Sequence, residues 1–159
     1  MNMKKISAAC ATAAALAALC VPGAAFAADG TLTLNAGDGS TLAGHSFTVY
    51  KLANYNDVVK DGANVKSVSA NNPDQTTGDW IAAALKANGV NYDLAQGRNA
   101  AEQLLRLQTE SNTLRKVAGT LQSTAAASRV TAVKTNQTST TGSLNLTLPE
   151  GYYLVVDAQ

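Results

Sequence analysis

The sequence predicts an α+β domain, mainly β in character, in which a β-sandwich carries inserted helices. Three observations favour this class. Apolar and polar residues alternate early, in the segment Gly44–Tyr55, as they do in a strand with one buried face. Apolar residues recur at helical spacing between about 79 and 126, and strand character returns at the end, with strict alternation over 143–148 and an apolar segment over 152–157. The order of strands, helices and strands is typical of an α+β domain.

Residues 1–27 have the features of a secretory leader. Lys4 and Lys5 precede an alanine- and leucine-rich apolar run, and a small-x-small pattern ends at Ala27. The run is too short, and too poor in large residues, to be a stable membrane span. We therefore predict cleavage after Ala27, a single domain over residues 28–159, and a secreted or cell-surface location.

The predicted domain lacks cysteine, because Cys10 and Cys20 both lie in the leader. Its stability must therefore come from a hydrophobic core or from another covalent link. Loss of Lys4 and Lys5 lowers the formal net charge of +1 by two, to −1. A nearly neutral chain without a basic patch argues against nucleic acid as a partner.

The first half of the domain is predicted to begin with two strands. Residues 31–34 form the first, residues 35–40 a turn, and residues 47–52 the second strand. Residues 56–79 are polar and contain Pro73, so they are predicted to be a surface excursion with a short strand near residues 65–68.

Three helices are predicted in the middle of the chain. Asp79 is the expected cap of the first, which ends at Asn88-Gly89. Asn99 and Glu102 have the spacing of a capping box and predict the start of the second. A third is expected over residues 113–126. An apolar stripe at helical spacing usually belongs to a core, so these helices are expected to cover a sheet.

Strands are predicted again after the helices. Residues 129–133 are β-branched and indicate a strand, whereas residues 135–142 are rich in Ser, Thr and Asn and indicate a loop. The last two segments, residues 143–148 and 152–157, are predicted to form a hairpin joined by the turn at Pro149–Gly151.

Residue patterns for catalysis are not found in the sequence. His45 is the one histidine, and we expect it to lie exposed at the entrance to a strand. The eleven acidic residues are dispersed, no ligands cluster at metal-binding spacing, and there is no Gly-x-Ser-x-Gly elbow. The sequence therefore predicts a protein that is not an enzyme, with no cofactor and no metal.

The order of the leader, the strand GHSFTVYKLANY, a helical middle containing IAAALKA and the closing segment LPEGYYLVVDA resembles one known family. It is similar to the N-terminal domain of the sortase-assembled major pilins of Gram-positive bacteria, the isopeptide-forming shaft subunits of fimbriae. The resemblance covers essentially all of residues 28–159. The Gly-His-x-Phe-x-x-Tyr strand and the Gly-Tyr-Tyr-Leu-Val strand are its most specific parts.

The resemblance implies an immunoglobulin-like, pilin-type sandwich and a structural role in a fimbria that supports cell adhesion. It implies other pilin subunits and a sortase as partners, through a pilin motif and a sorting signal. Neither motif occurs here, so we expect the chain to be a fragment of a longer protein that continues past Gln159.

Lys51 is the candidate site residue. The resemblance implies that a lysine at this strand position can form an isopeptide bond with an asparagine late in the domain, assisted by an acid. We expect the partner to lie beyond Gln159; Asn145 is the candidate within the chain, with Glu150 or Asp157 as the assisting acid. The alternative is a lysine at the end of a strand whose ammonium group reaches water.

A second function remains open at this stage. The helices and the polar segment 56–79 could form a secreted or wall-linked adhesin module that binds a host glycan or a matrix protein. An exposed aromatic cluster would favour this alternative. The domain has few aromatic residues, and Tyr50, Tyr152 and Tyr153 are assigned to strands, which favours the structural role.

Overall fold

A computed structural model of the chain shows a mixed α/β protein with antiparallel sheets and, in the part that it describes, three helices. It describes residues 8–10, 17–20, 29–37, 39–61, 64–91, 99–107 and 111–158. The chain divides into two compact units. The first comprises Met1–Tyr50 with Ala132–Gln159, and the second comprises Lys51–Thr131.

The elements are named here in chain order. The strands are β1 (Ala8–Cys10), β2 (Ala17–Cys20), β3 (Gly30–Ala36), β4 (Ser46–Asp61), β5 (Asn64–Asn71), β6 (Lys134–Thr138), β7 (Ser143–Leu148) and β8 (Tyr152–Asp157). The helices are α1 (Gln75–Ala87), α2 (Ala100–Arg106) and α3 (Ser111–Thr124). Among the described residues, no helix is long and apolar enough to cross a membrane.

The first unit contains two groups of paired strands. In one, β3 lies between β1 and β7; it pairs antiparallel with β7, with Leu32 opposite Leu146, and parallel with β1. In the other, β8 lies between β2 and β4, and β6 pairs antiparallel with the beginning of β4.

Side chains from both groups meet in one hydrophobic cluster. Its members come from alternate positions of β3, β4, β7 and β8, because successive side chains of a strand point to opposite faces. They are Leu32, Leu34, Phe47, Val49, Leu146, Leu148, Tyr153 and Val155. The alternation seen in the sequence over residues 31–34 and 143–148 therefore marks the buried face of β3 and β7, and those two predicted strands are confirmed.

Strands β1 and β2 both lie within the segment predicted to be a cleaved leader. Strand β1 pairs with residues 34–36, and β2 pairs with residues 153–156. The structure is that of the whole chain, so cleavage after Ala27 stays a prediction.

The second unit combines a long β-hairpin with the three helices. The later part of β4 pairs antiparallel with β5, from Asn54 opposite Asn71 to Asp61 opposite Asn64. The buried positions of the helices are the apolar ones at helical spacing, as predicted. They include Trp80, Ile81, Ala84, Leu85, Ala101, Leu104, Val117 and Leu121.

Side-chain hydrogen bonds join the elements of the second unit. Trp80 Nε1 donates to Thr124 Oγ1 at 2.9 Å, which links α1 to α3. Asn99 Nδ2 donates to the carbonyl oxygen of Ala70 at 2.8 Å, which links the start of α2 to β5. Asn72 Oδ1 accepts from the backbone amide of Ala101 at 2.9 Å. Asn72, directly after β5, thus satisfies one of the free amides at the start of α2.

The helix boundaries confirm most of the predicted signals. Asn99 caps α2 and accepts from the amide of Glu102, and α1 ends before Asn88 and Gly89, which has a φ of 72°. The predicted start of α1 is wrong, because Asp74, and not Asp79, is its cap. The Asp74 carboxylate accepts from the Thr77 amide at 2.8 Å.

The prediction of a polar surface excursion over residues 56–79 is wrong where β4 and β5 pair as a hairpin, whereas the short strand predicted near residues 65–68 is confirmed within β5. Register shifts between Tyr55 and Asp57, and again between Val59 and Lys60, interrupt the ladder. Such irregularities insert residues that break the two-residue period, so the alternation that would indicate a strand is lost.

The strand predicted at residues 129–133 is displaced along the chain. Arg129 has a φ of 55°, in the left-handed region, and the strand that forms is β6 at residues 134–138, within the predicted loop. Residues 134–138 are largely exposed, so β6 has no buried apolar face and its sequence lacks the alternation that would predict a strand. Its backbone pairing with β4, which needs no particular side chains, decides the structure.

The predicted hairpin of the last two strands does not form. Both strands are present with the expected bounds, but β7 pairs with β3 whereas β8 pairs with β2 and β4. Residues 152–155 of β8 are buried at successive positions, as in a central strand with two covered faces, whereas β7 is buried at alternate positions. The turn at Pro149–Gly151 therefore carries the chain from one group of strands to the other.

Candidate functional site

The segment GHSFTVYKLANY forms a turn followed by the first part of β4. Gly44 has a φ of 86°, which favours glycine, and the strand begins two residues later. Phe47 and Val49 are buried in the cluster of the first unit. The predicted strand is confirmed, although β4 continues well beyond Leu52.

Lys51 is half-buried on β4 and is the first residue of the second unit. Its candidate partner Asn145 belongs to the first unit, on β7. An amide bond between the two side chains would need Lys51 to be neutral and both groups to be shielded from water.

The side chain of Asn145 lies on the exposed face of β7. Its Oδ1 accepts a hydrogen bond at 2.7 Å from Thr33 Oγ1, on the neighbouring strand β3. The two residues are opposite each other in the antiparallel register, so this is a cross-strand polar pair in contact with solvent. That environment does not provide the shielded amide that isopeptide formation requires, so it does not favour the bond between Lys51 and Asn145 that the resemblance suggests.

The two candidate acids both have a buried carboxylate oxygen. Glu150 Oε1 and Asp157 Oδ1 are buried, and neither has a hydrogen-bond partner among the described residues. The second oxygen of Asp157, Oδ2, lies 2.6 Å from Nδ1 of His45. The structure thus pairs Asp157 with His45.

His45 lies directly before β4, at the entrance to the strand as expected, but its side chain is only partly exposed. Its side chain is 30% exposed, and its ring stacks on Phe47 with the centroids 6.2 Å apart. The amide of Ala158, next to Asp157, donates to the carbonyl oxygen of Ser46 at 2.7 Å. The contact between His45 and Asp157 and this backbone hydrogen bond therefore join the end of β8 to the start of β4. No local pattern could predict it, because the two residues are 112 positions apart.

Tyr153 forms the second feature of this region. Its hydroxyl donates to the carbonyl oxygen of Pro149, four residues upstream, at 2.5 Å. Burial, together with the nearby carboxylate of Asp29, raises the pKa of Tyr153 to about 12. The phenol is therefore neutral at physiological pH and acts as a hydrogen-bond donor at the corner between β7 and β8.

The described residues contain no group of three His, Cys, Asp or Glu side chains that could hold a metal ion. Comparison of the chain with models of protein families, with curated proteins and with solved structures finds no match. The geometry of the strands and of the Tyr153 corner is therefore the structural basis for any functional assignment.

Proposed function

We propose that this chain is part of a structural subunit of a bacterial surface fimbria. In this proposal the leader directs export, a sortase joins the full-length subunits covalently, and the fibre supports cell adhesion. The sequence resemblance supplies the class of protein, since a fold alone does not define a function. The arrangement of the strands supports the resemblance.

The strand pairs agree with those of an immunoglobulin-like sandwich. In that fold the second and fifth strands, B and E, pair in one sheet, and C and F pair in the other. Here β3 pairs with β7 and β8 pairs with β4, and the chain crosses between the two groups after β7. In the proposed fold, strands β3, β4, β7 and β8 would correspond to B, C, E and F, with the helices and the β4–β5 hairpin inserted between C and E.

The hydrogen bond from Tyr153 to Pro149 is the observation that carries the proposed fold. Immunoglobulin-like sandwiches have a tyrosine near the start of strand F whose hydroxyl bonds to the backbone a few residues upstream, at the E–F corner. Tyr153 is the second residue of β8 and bonds across the corner after β7. A sandwich stabilised in this way, without disulfides, suits a repeated structural unit outside the cell.

The proposal is tested on the surface of the source bacterium. Antibodies raised against residues 28–159 should label fibres and should detect a ladder of covalent multimers that survives boiling in detergent. Deletion of the sortase should abolish the ladder and leave the monomer. A single monomeric band in the parent strain, together with diffuse or absent surface labelling, would contradict the proposal.

The alternative, an adhesin module for a host glycan or matrix protein, is less well supported. Such sites use exposed aromatic side chains, whereas Trp80, Tyr152 and Tyr153 are buried. In the part of the chain that the structure describes, the exposed large hydrophobic side chains are Val59 and Val133. Saturable binding of the purified domain to a glycan or matrix protein would favour the alternative.

A further inference from the structure

The segment between α3 and β6, residues 125–133, returns the chain from the second unit to the first. The chain passes between the two units twice. One passage lies at Tyr50–Lys51, inside strand β4, and the other lies at Thr131–Ala132, which belongs to no helix or strand. The second passage is the less protected of the two, because a strand must first break its ladder hydrogen bonds before its backbone becomes accessible.

Few hydrogen bonds hold the backbone of this segment. On one side, the amide of Ser128 donates to the carbonyl oxygen of Thr124 at 3.0 Å. On the other side, the amide of Val133 donates to the carbonyl oxygen of Val49 at 2.8 Å. For residues 129–132, between these two anchors, no backbone hydrogen bond to another described residue is present. This stretch can therefore open without the loss of a helix or a strand.

Arg129 lies at the start of the stretch that has no backbone hydrogen bonds. It is exposed, its φ is 55°, and the residues before it, 126–128, are Ala, Ala and Ser. Small and polar residues in an exposed connection are typical of sites at which proteases cut a folded protein.

The position of Arg129 differs from that of the other basic residues in the part of the chain that the structure describes. Those residues all lie in helices or strands, whereas Arg129 lies in neither. They are Lys51, Lys60, Lys66, Lys86, Arg106, Arg115, Lys116 and Lys134. A protease that cleaves after basic residues would have to open regular structure to reach any of them.

We propose that the peptide bond between Arg129 and Val130 is a processing site for an endoprotease that cleaves after basic residues, and that the cut chain stays assembled. The reaction is hydrolysis. Water adds across the bond, so that Arg129 gains a carboxylate and Val130 gains an α-amino group, and no further reactant is needed. This inference goes beyond the proposed structural role and does not depend on it.

The strand pairing keeps the two parts of the cut chain together. Strands β6, β7 and β8 follow the cut, and none of the three pairs with another. Strand β7 pairs with β3, whereas β6 and β8 pair with β4, and both partners precede the cut. The later part therefore makes all of its described strand pairs with the earlier part.

The hydrophobic cluster of the first unit is also divided equally between the two parts. Four of its buried side chains precede the cut and four follow it. The first four are Leu32, Leu34, Phe47 and Val49, and the others are Leu146, Leu148, Tyr153 and Val155. Separation of the parts would expose both halves of the cluster to water, so the cut chain remains one folded particle.

The experiment treats the purified chain with a limiting amount of trypsin, and intact mass in denaturant identifies the first cut within residues 28–159. The variant Arg129→Gln removes the proposed site. The matched control is Lys134→Gln, because Lys134 is also exposed but lies in β6, where it pairs with Val49. The melting temperatures of both variants should equal that of the parent, since both side chains are exposed.

The parent should give two fragments that meet at Arg129 and Val130, with masses that sum to that of the chain plus one water. Arg129→Gln should slow the first cut by at least about tenfold, because the remaining sites need local unfolding, whereas Lys134→Gln should leave the rate unchanged. The cut parent should elute with the uncut chain in size-exclusion chromatography, and the fragments should separate only in denaturant.

Three results would overturn the inference. A first cut at any other lysine or arginine of residues 28–159 would remove the site. An equal effect of the two substitutions would show that exposure of a basic side chain, and not the open backbone, decides the cut. Separation of the fragments without denaturant would contradict the assembled state of the cut chain.

Discussion

The hydroxyl of Tyr153 donates a hydrogen bond to the carbonyl oxygen of Pro149 across the corner at which the chain leaves β7 and enters β8. Tyr153 is fully buried, and its ring belongs to the hydrophobic cluster shared by both groups of strands. One side chain therefore contributes to the core and fixes the crossing between the strand groups.

Replacement of Tyr153 by Phe should lower the free energy of unfolding by about 1–2 kcal/mol, because the carbonyl of Pro149 loses its partner while the ring stays buried. Urea denaturation at pH 7 measures the change. Tyr153→Ala should cost about 3–5 kcal/mol, since it also removes the ring from the core. If Tyr153→Phe equals the parent in stability, the hydrogen bond does not stabilise the corner.

The pH dependence of stability should also report on Tyr153. Its pKa is about 12 in the folded chain and about 10 when unfolded, so only the unfolded chain loses the proton between these values. The contribution of Tyr153 to the free energy of unfolding should therefore be nearly constant below pH 10. It should fall by up to about 2 kcal/mol as the pH rises from 10 to 12. Unfolding in urea at several alkaline pH values measures the slope. Tyr153→Phe should have a shallower slope, and an identical slope would contradict the assignment.

Gly78 in α1 should resist substitution although it lies inside a helix. A Cβ at this position would lie 2.9 Å from Cγ of Asn72 and closer still to its Nδ2. Gly78→Ala should therefore displace Asn72, weaken its bond to the amide of Ala101, and cost about 1–3 kcal/mol. Thermal unfolding measures the effect.

Gly119 in α3 provides the matched control. A Cβ there would meet no atom within 4 Å, so Gly119→Ala should stabilise the chain by about 0.5–1 kcal/mol through helix propensity. If both substitutions changed stability in the same direction, the close approach of Asn72 to α1 would not be the cause.

The start of α1 can be tested by comparing two aspartates. Asp74 accepts hydrogen bonds from the amide and the hydroxyl of Thr77, so Asp74→Ala should cost about 1 kcal/mol or more. Asp79 makes an exposed hydrogen bond with Gln75, and Asp79→Ala should change stability by less than about 0.5 kcal/mol. Helix content and melting temperature measure both. A larger loss of stability in Asp79→Ala than in Asp74→Ala would indicate that Asp79 is the cap of α1.

The mass of the exported chain tests the covalent role of Lys51. Because Asn145 is exposed and bonded to Thr33, we expect no bond between Lys51 and Asn145 within residues 28–159. Intact mass spectrometry should give the unmodified value. The loss of one ammonia, abolished by Lys51→Arg and by Asn145→Ala, would contradict this expectation and support the isopeptide.

The sequence predicted the elements whose signal is local. Alternation identified β3 and β7, a continuous apolar segment identified β8, and the cap at Asn99 and the stop at Asn88 identified helix ends. Sequence-based prediction failed for strands whose structure depends on hydrogen bonding to a neighbouring strand and not on their own residue composition. The bulged later half of β4 and the exposed β6 have no apolar period, so their partners decide their structure.

The candidate site was harder to predict than the fold. Lys51 was identified because a cation stands at a strand position, but its chemistry depends on groups far away in sequence. His45 and Asp157 are 112 positions apart and form a bond that neither local pattern indicates. The corner at Tyr153 was missed because two strands joined by a short turn normally form a hairpin.

The first unit is discontinuous, and this affects the order of folding. Strand β3 near the beginning pairs with β7 near the end, and the whole second unit lies between them in the sequence. Contacts of such long range form slowly, whereas the second unit is continuous and can complete its contacts earlier. If the chain is exported as proposed, the first unit would stay open until its last strands have emerged from the export channel, and its apolar strands would need protection for that interval.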